Sequence, residues 1–226
     1  KIPKFSLSSS FESSRFSANV PGDGAVCDIS SGVFLPDEKL VLLDRSNRNV
    51  KLFDNKSNFL DQLKMEVCPS HICRVDHRTI GVTAGESVIL FSVSHTLTRL
   101  RTIDMHTTCY GITSYQGNII VDKTVKRKES LVTFDTSYNT INTIQLSVVL
   151  NDRNTHCISP DGQRIYCTTK DQIVTINMEG QQLSIFECDD LEAAYGITVD
   201  KKGIIYCCGN QSSSVLQVTP EGRQLG

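Results

Sequence analysis

Short apolar runs alternate along the whole chain with polar, turn-forming clusters, and this alternation itself repeats. A small or turn-forming residue followed by an apolar one recurs at Gly32-Val33, His71-Ile72, Gly111-Ile112, His156-Cys157 and Gly196-Ile197, at intervals of 39, 40, 45 and 40 residues. A period near 40 marks a solenoid, an array or a propeller. Past each anchor lies a second apolar run: Leu40 to Leu43, Thr79 to Val82, Asn118 to Val121, Arg164 to Cys167 and Ile204 to Cys207. After a turn comes a third: Val50 to Phe53, Val88 to Phe91, Leu131 to Phe134, Ile173 to Ile176 and Val215 to Val218.

These runs are short, rich in β-branched and aromatic residues, and bounded by Gly, Asn, Asp, Ser and Pro, which marks strands joined by tight turns. Pro36-Asp37-Glu38-Lys39, Pro160-Asp161-Gly162-Gln163 and Asp200-Lys201-Lys202-Gly203 are explicit turns, with Pro presetting φ and Gly taking positive φ. A weaker fourth strand is expected at Phe59-Leu60, Leu97 to Leu100, Ile141 to Ile144, Leu183 to Phe186 and Arg223 to Leu225. No window has a helical period. The expected fold is all-β, a single β-propeller domain of four-stranded antiparallel blades over residues 1–226, with repeats at about 27–64, 65–104, 105–148, 149–188 and 189–226. Residues 1–26 form a lead-in, and the alternation in Phe5 to Phe11 reads as an outer strand. Two readings of the ring stay open: five blades closed by that N-terminal strand, or a six-bladed ring truncated at the C-terminus. Lys1 in place of Met points to an excised portion of a larger polypeptide.

The stretch Tyr195-Gly196-Ile197-Thr198-Val199-Asp200-Lys201-Lys202-Gly203-Ile204-Ile205-Tyr206 resembles the consensus of NHL repeats. Phe34-Leu35-Pro36-Asp37 and Asn47 to Phe53 have the same cast, and the whole is similar to the C-terminal propellers of invertebrate tripartite-motif (TRIM-type) proteins. That resemblance implies a six-bladed ring as the usual form. It also implies a recognition module that binds the target of a ubiquitin ligase, whose transfer chemistry lies in separate RING, B-box and coiled-coil modules. NHL units serve many functions, so the resemblance speaks to fold more than to partner.

At 39% hydrophobic and 21% charged residues, 226 residues suffice for one core. No apolar run approaches the length of a membrane span and no signal-peptide pattern opens the sequence. A net charge of −2 offers no general attraction to nucleic acid or anionic lipid. The nine cysteines are odd in number, and Cys157, Cys167, Cys207 and Cys208 fall inside expected strands, so reduced thiols and a cytoplasmic location are expected. Cys68, His71, Cys73 and His77 form a dense local set, but structural zinc sites favour paired Cys-x2-Cys knuckles, which are missing. No metal or cofactor is expected.

Propeller hydrolases hold calcium over the channel with carboxylates from several blades. Here the residues before the five inner strands are Ser31, Ser70, Tyr110, Thr155 and Tyr195, with Asp28, Asp152 and Glu192 a few positions upstream. No nucleophile elbow or phosphate-cradling loop is present, so no catalytic residue is assigned. In an antiparallel blade, the approach to strand one shares an edge with the hairpin joining strands two and three. That edge gathers the candidate binding residues Arg45, Arg48, Ser70, Tyr110, Lys126, Arg127, Lys128, Arg153, His156 and Tyr195. Two tyrosines at a pore mouth suit a peptide grip, or else plug the channel. The run Lys126-Arg127-Lys128 suits single-stranded RNA, against which stand Asp44, Asp122, Glu129, Asp152, Asp171, Asp189 and Asp190 along the same edge. The expected function is non-catalytic binding of a protein partner, with single-stranded RNA as the alternative and a metal-dependent hydrolase less favoured.

Overall fold

The computed structural model describes residues 16–125, 128–146, 155–188, 190–191, 193–209 and 211–225. Nineteen strands make five antiparallel sheets among these residues. Blade 1 is β1 (Ile29–Phe34), β2 (Leu40–Asp44), β3 (Asn49–Phe53) and β4 (Phe59–Lys64). Blade 2 is β5 (Pro69–Arg74), β6 (Thr79–Ala84), β7 (Ser87–Val93) and β8 (Leu97–Asp104). Blade 3 is β9 (Ile112–Tyr115), β10 (Asn118–Val125), β11 (Lys128–Phe134) and β12 (Thr140–Gln145). Blade 4 is β13 (His156–Ile158), β14 (Arg164–Thr168), β15 (Gln172–Asn177) and β16 (Gln182–Glu187). Blade 5 is β17 (Ala194–Val199), β18 (Ile205–Gly209) and β19 (Ser214–Val218). Its expected fourth strand is reduced to a bridge between Val218 and Gln224, with the Leu225 amide donating to the Gln217 carbonyl at 2.8 Å.

Each sheet is a simple meander, strand by strand in sequence order. The turns are set locally by short polar side chains that accept backbone N–H groups two to four residues ahead. Asp54, Asp135 and Asn177 do this between third and fourth strands, and Asp76, Asp161 and Asp200 between first and second.

The inner strands pack in succession, β1 on β5, β5 on β9, β9 on β13 and β13 on β17, which fans the sheets around one axis as a five-bladed β-propeller. Apolar clusters fill the four junctions between successive blades. Val50 and Leu52 meet Ile89 and Phe91 at the first junction, and Val88 and Leu90 meet Val132 and Phe134 at the second. Leu131 meets Val174 and Ile176 at the third, and Ile173 meets Leu216 and Val218 at the fourth. No helix of the described residues is long and apolar enough to cross a membrane.

The described lead-in, from Phe16 to Asp28, lies on the flank of blade 1 that faces away from blade 2. The Phe16 ring meets Phe53 edge-on at 5.3 Å, and Gln62 donates to the Pro21 carbonyl at 2.8 Å. The outer strand expected at Phe5 to Phe11 lies outside the described residues.

Candidate binding face at the propeller axis

Three inner strands break register at one level. In β1 the pairing skips Ser30 between Ile29 and Ser31, in β5 it skips Ser70 and His71 between Pro69 and Ile72, and in β17 it skips Tyr195 between Ala194 and Gly196. A bulge leaves its extra residue out of the ladder and re-aims the side chain. Here the skipped residues converge: Ser30, Ser70, His71 and Tyr195, with Arg45 and Tyr110, line an axial pocket of about 40 Å3. Blades 1, 2, 3 and 5 all contribute, so the arc of sheets brings its first and last members to one place.

Both tyrosines are held through their backbone. The Tyr110 amide donates to Asp122 Oδ1 at 2.8 Å, while its carbonyl accepts from Thr83 Oγ1 at 2.5 Å. The Tyr195 carbonyl accepts from Thr155 Oγ1 at 2.7 Å. The same device recurs in blades 1 to 4, where a polar side chain on the second strand takes an amide at or just before the inner strand. Asp44 takes that of Asp28 at 3.1 Å, Thr83 that of His71 at 3.1 Å, and Thr168 that of Thr155 at 3.3 Å. Burial pushes the Asp122 carboxyl up to about 7, with the amides of Tyr110 and Gly111 opposing the shift.

Of the ten residues expected on this face, Arg45, Ser70, Tyr110 and Tyr195 meet at the axis. Arg48 is exposed at the β2–β3 hairpin and spends its guanidinium on the Glu66 carbonyl at 3.2 Å. Lys128 is exposed at the start of β11, while Lys126, Arg127 and Arg153 lie outside the described residues, as do Asp152, Asp189 and Glu192. His156 corrects the expectation. It is 3% exposed, and its Nε2 lies 3.1 Å from the Ile120 carbonyl of blade 3, leaving Nδ1 buried without a partner. Burial lowers its pKa to about 4, so at neutral pH it is an uncharged pin between blades 3 and 4.

Two acids expected to oppose phosphate on this face are also buried. Asp122 is 7% exposed, and Asp44 is fully buried beside Lys51. Lys51 Nζ lies 2.6 Å from Asp44 Oδ2, 2.7 Å from Asp23 Oδ2, 3.0 Å from the Ala18 carbonyl and 3.1 Å from Cys27 Sγ. Burial disfavours the Lys51 ammonium, but its carboxylate partners outweigh that and raise its pKa. Burial likewise opposes ionisation of Asp44, and hydrogen bonds from Lys51 and Asn47 hold its pKa well below the usual range. Asp23, Cys27 and Asp44 are close enough to hold a metal, but the Lys51 ammonium already stands among them as the compensating cation. Cys68, His71, Cys73 and His77 do not gather. Cys73 is in the core between blades 2 and 3, its thiol pushed up to about 12 by burial, His71 lines the axis, and the His77 side chain is 76% exposed at a turn. All nine cysteines are free thiols.

A second, wider depression of about 580 Å3 opens between blades 4 and 5, lined by Lys170, Asp171, Gln172, Glu187, Cys188, Leu191 and Gln211. Sequence reasoning does not reach Ser30, His71, Thr83 or Thr168 as parts of the site. Only the polar residue in the second strands of blades 1 to 4, Asp44, Thr83, Asp122 and Thr168, leaves a repeated trace.

No family model matches the sequence, and no curated protein does. Solved structures do. Virginiamycin B lyase from Staphylococcus aureus superposes with a TM-score of 0.65 at 10% identity, over 87% of this chain and 68% of that one. A luciferin-regenerating enzyme gives 0.68 at 10% identity, over 88% and 75%. The Dos1 propeller gives 0.60 at 11% identity, over 89% and 70%. At such identities the likeness is one of fold, the β-propeller, and two of these three structures are of enzymes.

Proposed function

We propose that this propeller is a recognition module that binds a protein partner on the loop face around its axis. One observation carries the reading: three bulges and two clamped tyrosines build a preformed polar and aromatic pocket at the mouth of the axis. Rigid aromatic bodies with polar tips supply contact area at low entropic cost, and held backbones reduce the ordering penalty of binding. Among the described residues the lining contains no carboxylate and so none of the several acidic ligands a hard cation needs, which weighs against the hydrolase reading. The NHL-like repeats support the finer proposal that the partner is the target of a TRIM-type ubiquitin ligase, with transfer performed by another module. The free thiols fit a cytoplasmic protein of that kind.

The test is selection of displayed random peptides against the protein. Selected peptides should bind, and Tyr110→Ala or Tyr195→Ala should weaken them by roughly tenfold or more, the effect of truncating an aromatic hot spot. Failure to select any peptide, or binders indifferent to both tyrosines, would remove the reading. The basic run Lys126-Arg127-Lys128, between β10 and β11 in sequence, keeps single-stranded RNA as the second candidate. Filter binding to random RNA should show no retention at low salt, and an affinity falling steeply with salt would favour RNA instead.

A further inference from the structure

We infer that the axial pocket reads a carboxylate, so that the partner presents an Asp or Glu side chain or a free C-terminal carboxylate to Arg45 and Ser30. The inference rests on the protein-recognition reading and supplies the chemistry of its central contact.

The polar side chains that line the pocket among the described residues all belong to donor-bearing types: the guanidinium of Arg45, the hydroxyls of Ser30, Ser70, Tyr110 and Tyr195, and the imidazole of His71. No Asp or Glu stands among these described residues. Ser30 Oγ is buried with no hydrogen-bond partner, a state that carries a desolvation penalty. The half-buried Arg45 guanidinium makes no hydrogen bond or ion pair among the described residues, although its backbone is fixed by the Asp28 carbonyl at 2.9 Å. One incoming carboxylate answers both deficits, because its two oxygens accept from the planar guanidinium and from the orphaned hydroxyl.

Charge and size select among anions. A single guanidinium matches the single charge of a carboxylate, whereas a phosphomonoester brings about −1.5 to −2 at neutral pH. The free volume of about 40 Å3 suits a carboxylate head. Asp44, next to Arg45 in sequence, is buried against Lys51, and Asp122 is buried behind the Tyr110 amide, so neither carboxylate enters the pocket lining. The bulges at Ser30, Ser70 to His71 and Tyr195 hold these donors in place before any ligand arrives.

The experiment titrates the 15N-labelled protein with sodium acetate, inorganic phosphate and sodium chloride at matched ionic strength and follows backbone amides. Acetate should shift Ser30, Ser70, His71 and Tyr110 saturably, and Arg45→Gln should weaken it by roughly tenfold or more, as expected for a charge-assisted pair. Saturation by phosphate at lower concentration than acetate would overturn the carboxylate assignment. So would an unchanged acetate response in Arg45→Gln, or the absence of a saturable shift in the wild type. Should Arg45→Gln lose the wild-type melting profile, Ser30→Ala replaces it, with an expected loss of about three- to tenfold.

Peptide selection separates this inference from the reading beneath it. Enrichment of Asp, Glu or a free C-terminus on the wild type, lost on Arg45→Gln, supports both. Binders without acidic bias sink the subsite and leave protein recognition standing. Acetate binding with no selected peptide supports the pocket chemistry and removes the protein-recognition reading.

Discussion

Lys51 stands where the other blades place an aliphatic residue. Phe53, Phe91, Phe134, Ile176 and Val218 occupy matching register on the third strands, and two residues before them lie Lys51, Ile89, Val132, Val174 and Leu216. The last four meet the preceding blade, whereas Lys51 meets Asp23, Cys27 and the Ala18 carbonyl of the lead-in. Removing one member of a buried charge cluster leaves the others uncompensated. Lys51→Ala should therefore cost about 3–5 kcal/mol, read as a drop in chemical-denaturation midpoint at unchanged m. The pH dependence has two arms of opposite sign. Asp44 has its folded pKa depressed, so its stabilisation is present above the unfolded value of 3.8 and is lost on acidification below it. Asp122 has its folded pKa raised to about 7, so its contribution is full below 3.8 and declines as pH rises from there through about 7. Asp122→Asn should flatten the decline between pH 4 and 7 while leaving the acid arm intact, as urea titrations across that range would show.

At the scale of the element, the turns are legible because their chemistry is local. Pro160-Asp161-Gly162-Gln163 reads as a turn, and in the structure Gly162 has φ +71° and its amide donates to the Ser159 carbonyl at 2.9 Å. Its lack of a side chain serves a second end that no local rule announces. A Cβ there would come within 2.4 Å of the Tyr115 ring on blade 3. Gly162→Ala thus combines backbone strain with an inter-blade clash, and should lower stability by about 1–3 kcal/mol, measured by thermal melting. The mirror case is Gly203, also a turn glycine with positive φ, where an added Cβ meets Pro220 at a softer 3.2 Å. The bulges are not legible. Ser30, Ser70 and Tyr195 fall in runs with no exceptional residue, and a skipped pairing shows only when the partner strand is in place.

Across the whole molecule, the neighbour on each flank decides what a position is worth. Val50, Val88, Leu131, Ile173 and Val215 share one register position on the third strands. The first four are at most 1% exposed against the following blade, while Val215, on the free flank of blade 5, is 59% exposed. Ile173→Ala should cost about 2–5 kcal/mol and Val215→Ala within about 0.5 kcal/mol, although the two strands read alike in sequence. Denaturant titration of the pair tests this. The same scale explains His156. Its place at the start of an inner strand suggests the loop face, but blade 3 offers the Ile120 carbonyl to its ring.

What the sequence determines by itself is its repeat, the strands within each repeat and the turns between them, because alternation and turn chemistry act over a few residues. The five repeats and the run of sheets in sequence order follow from those, whereas the choice between a five- and a six-bladed ring came only with the structure. Tertiary structure alone decided which polar residues face the axis, which are buried as pins, and that Lys51 closes the flank of blade 1 with charge in place of apolar packing. Those outcomes depend on residues far apart in sequence coming together, as Lys51 does with Cys27 and as Ser30 and Tyr195 do in lining one pocket. A strand cannot know which neighbour will cover it until the sheets have fanned around the axis.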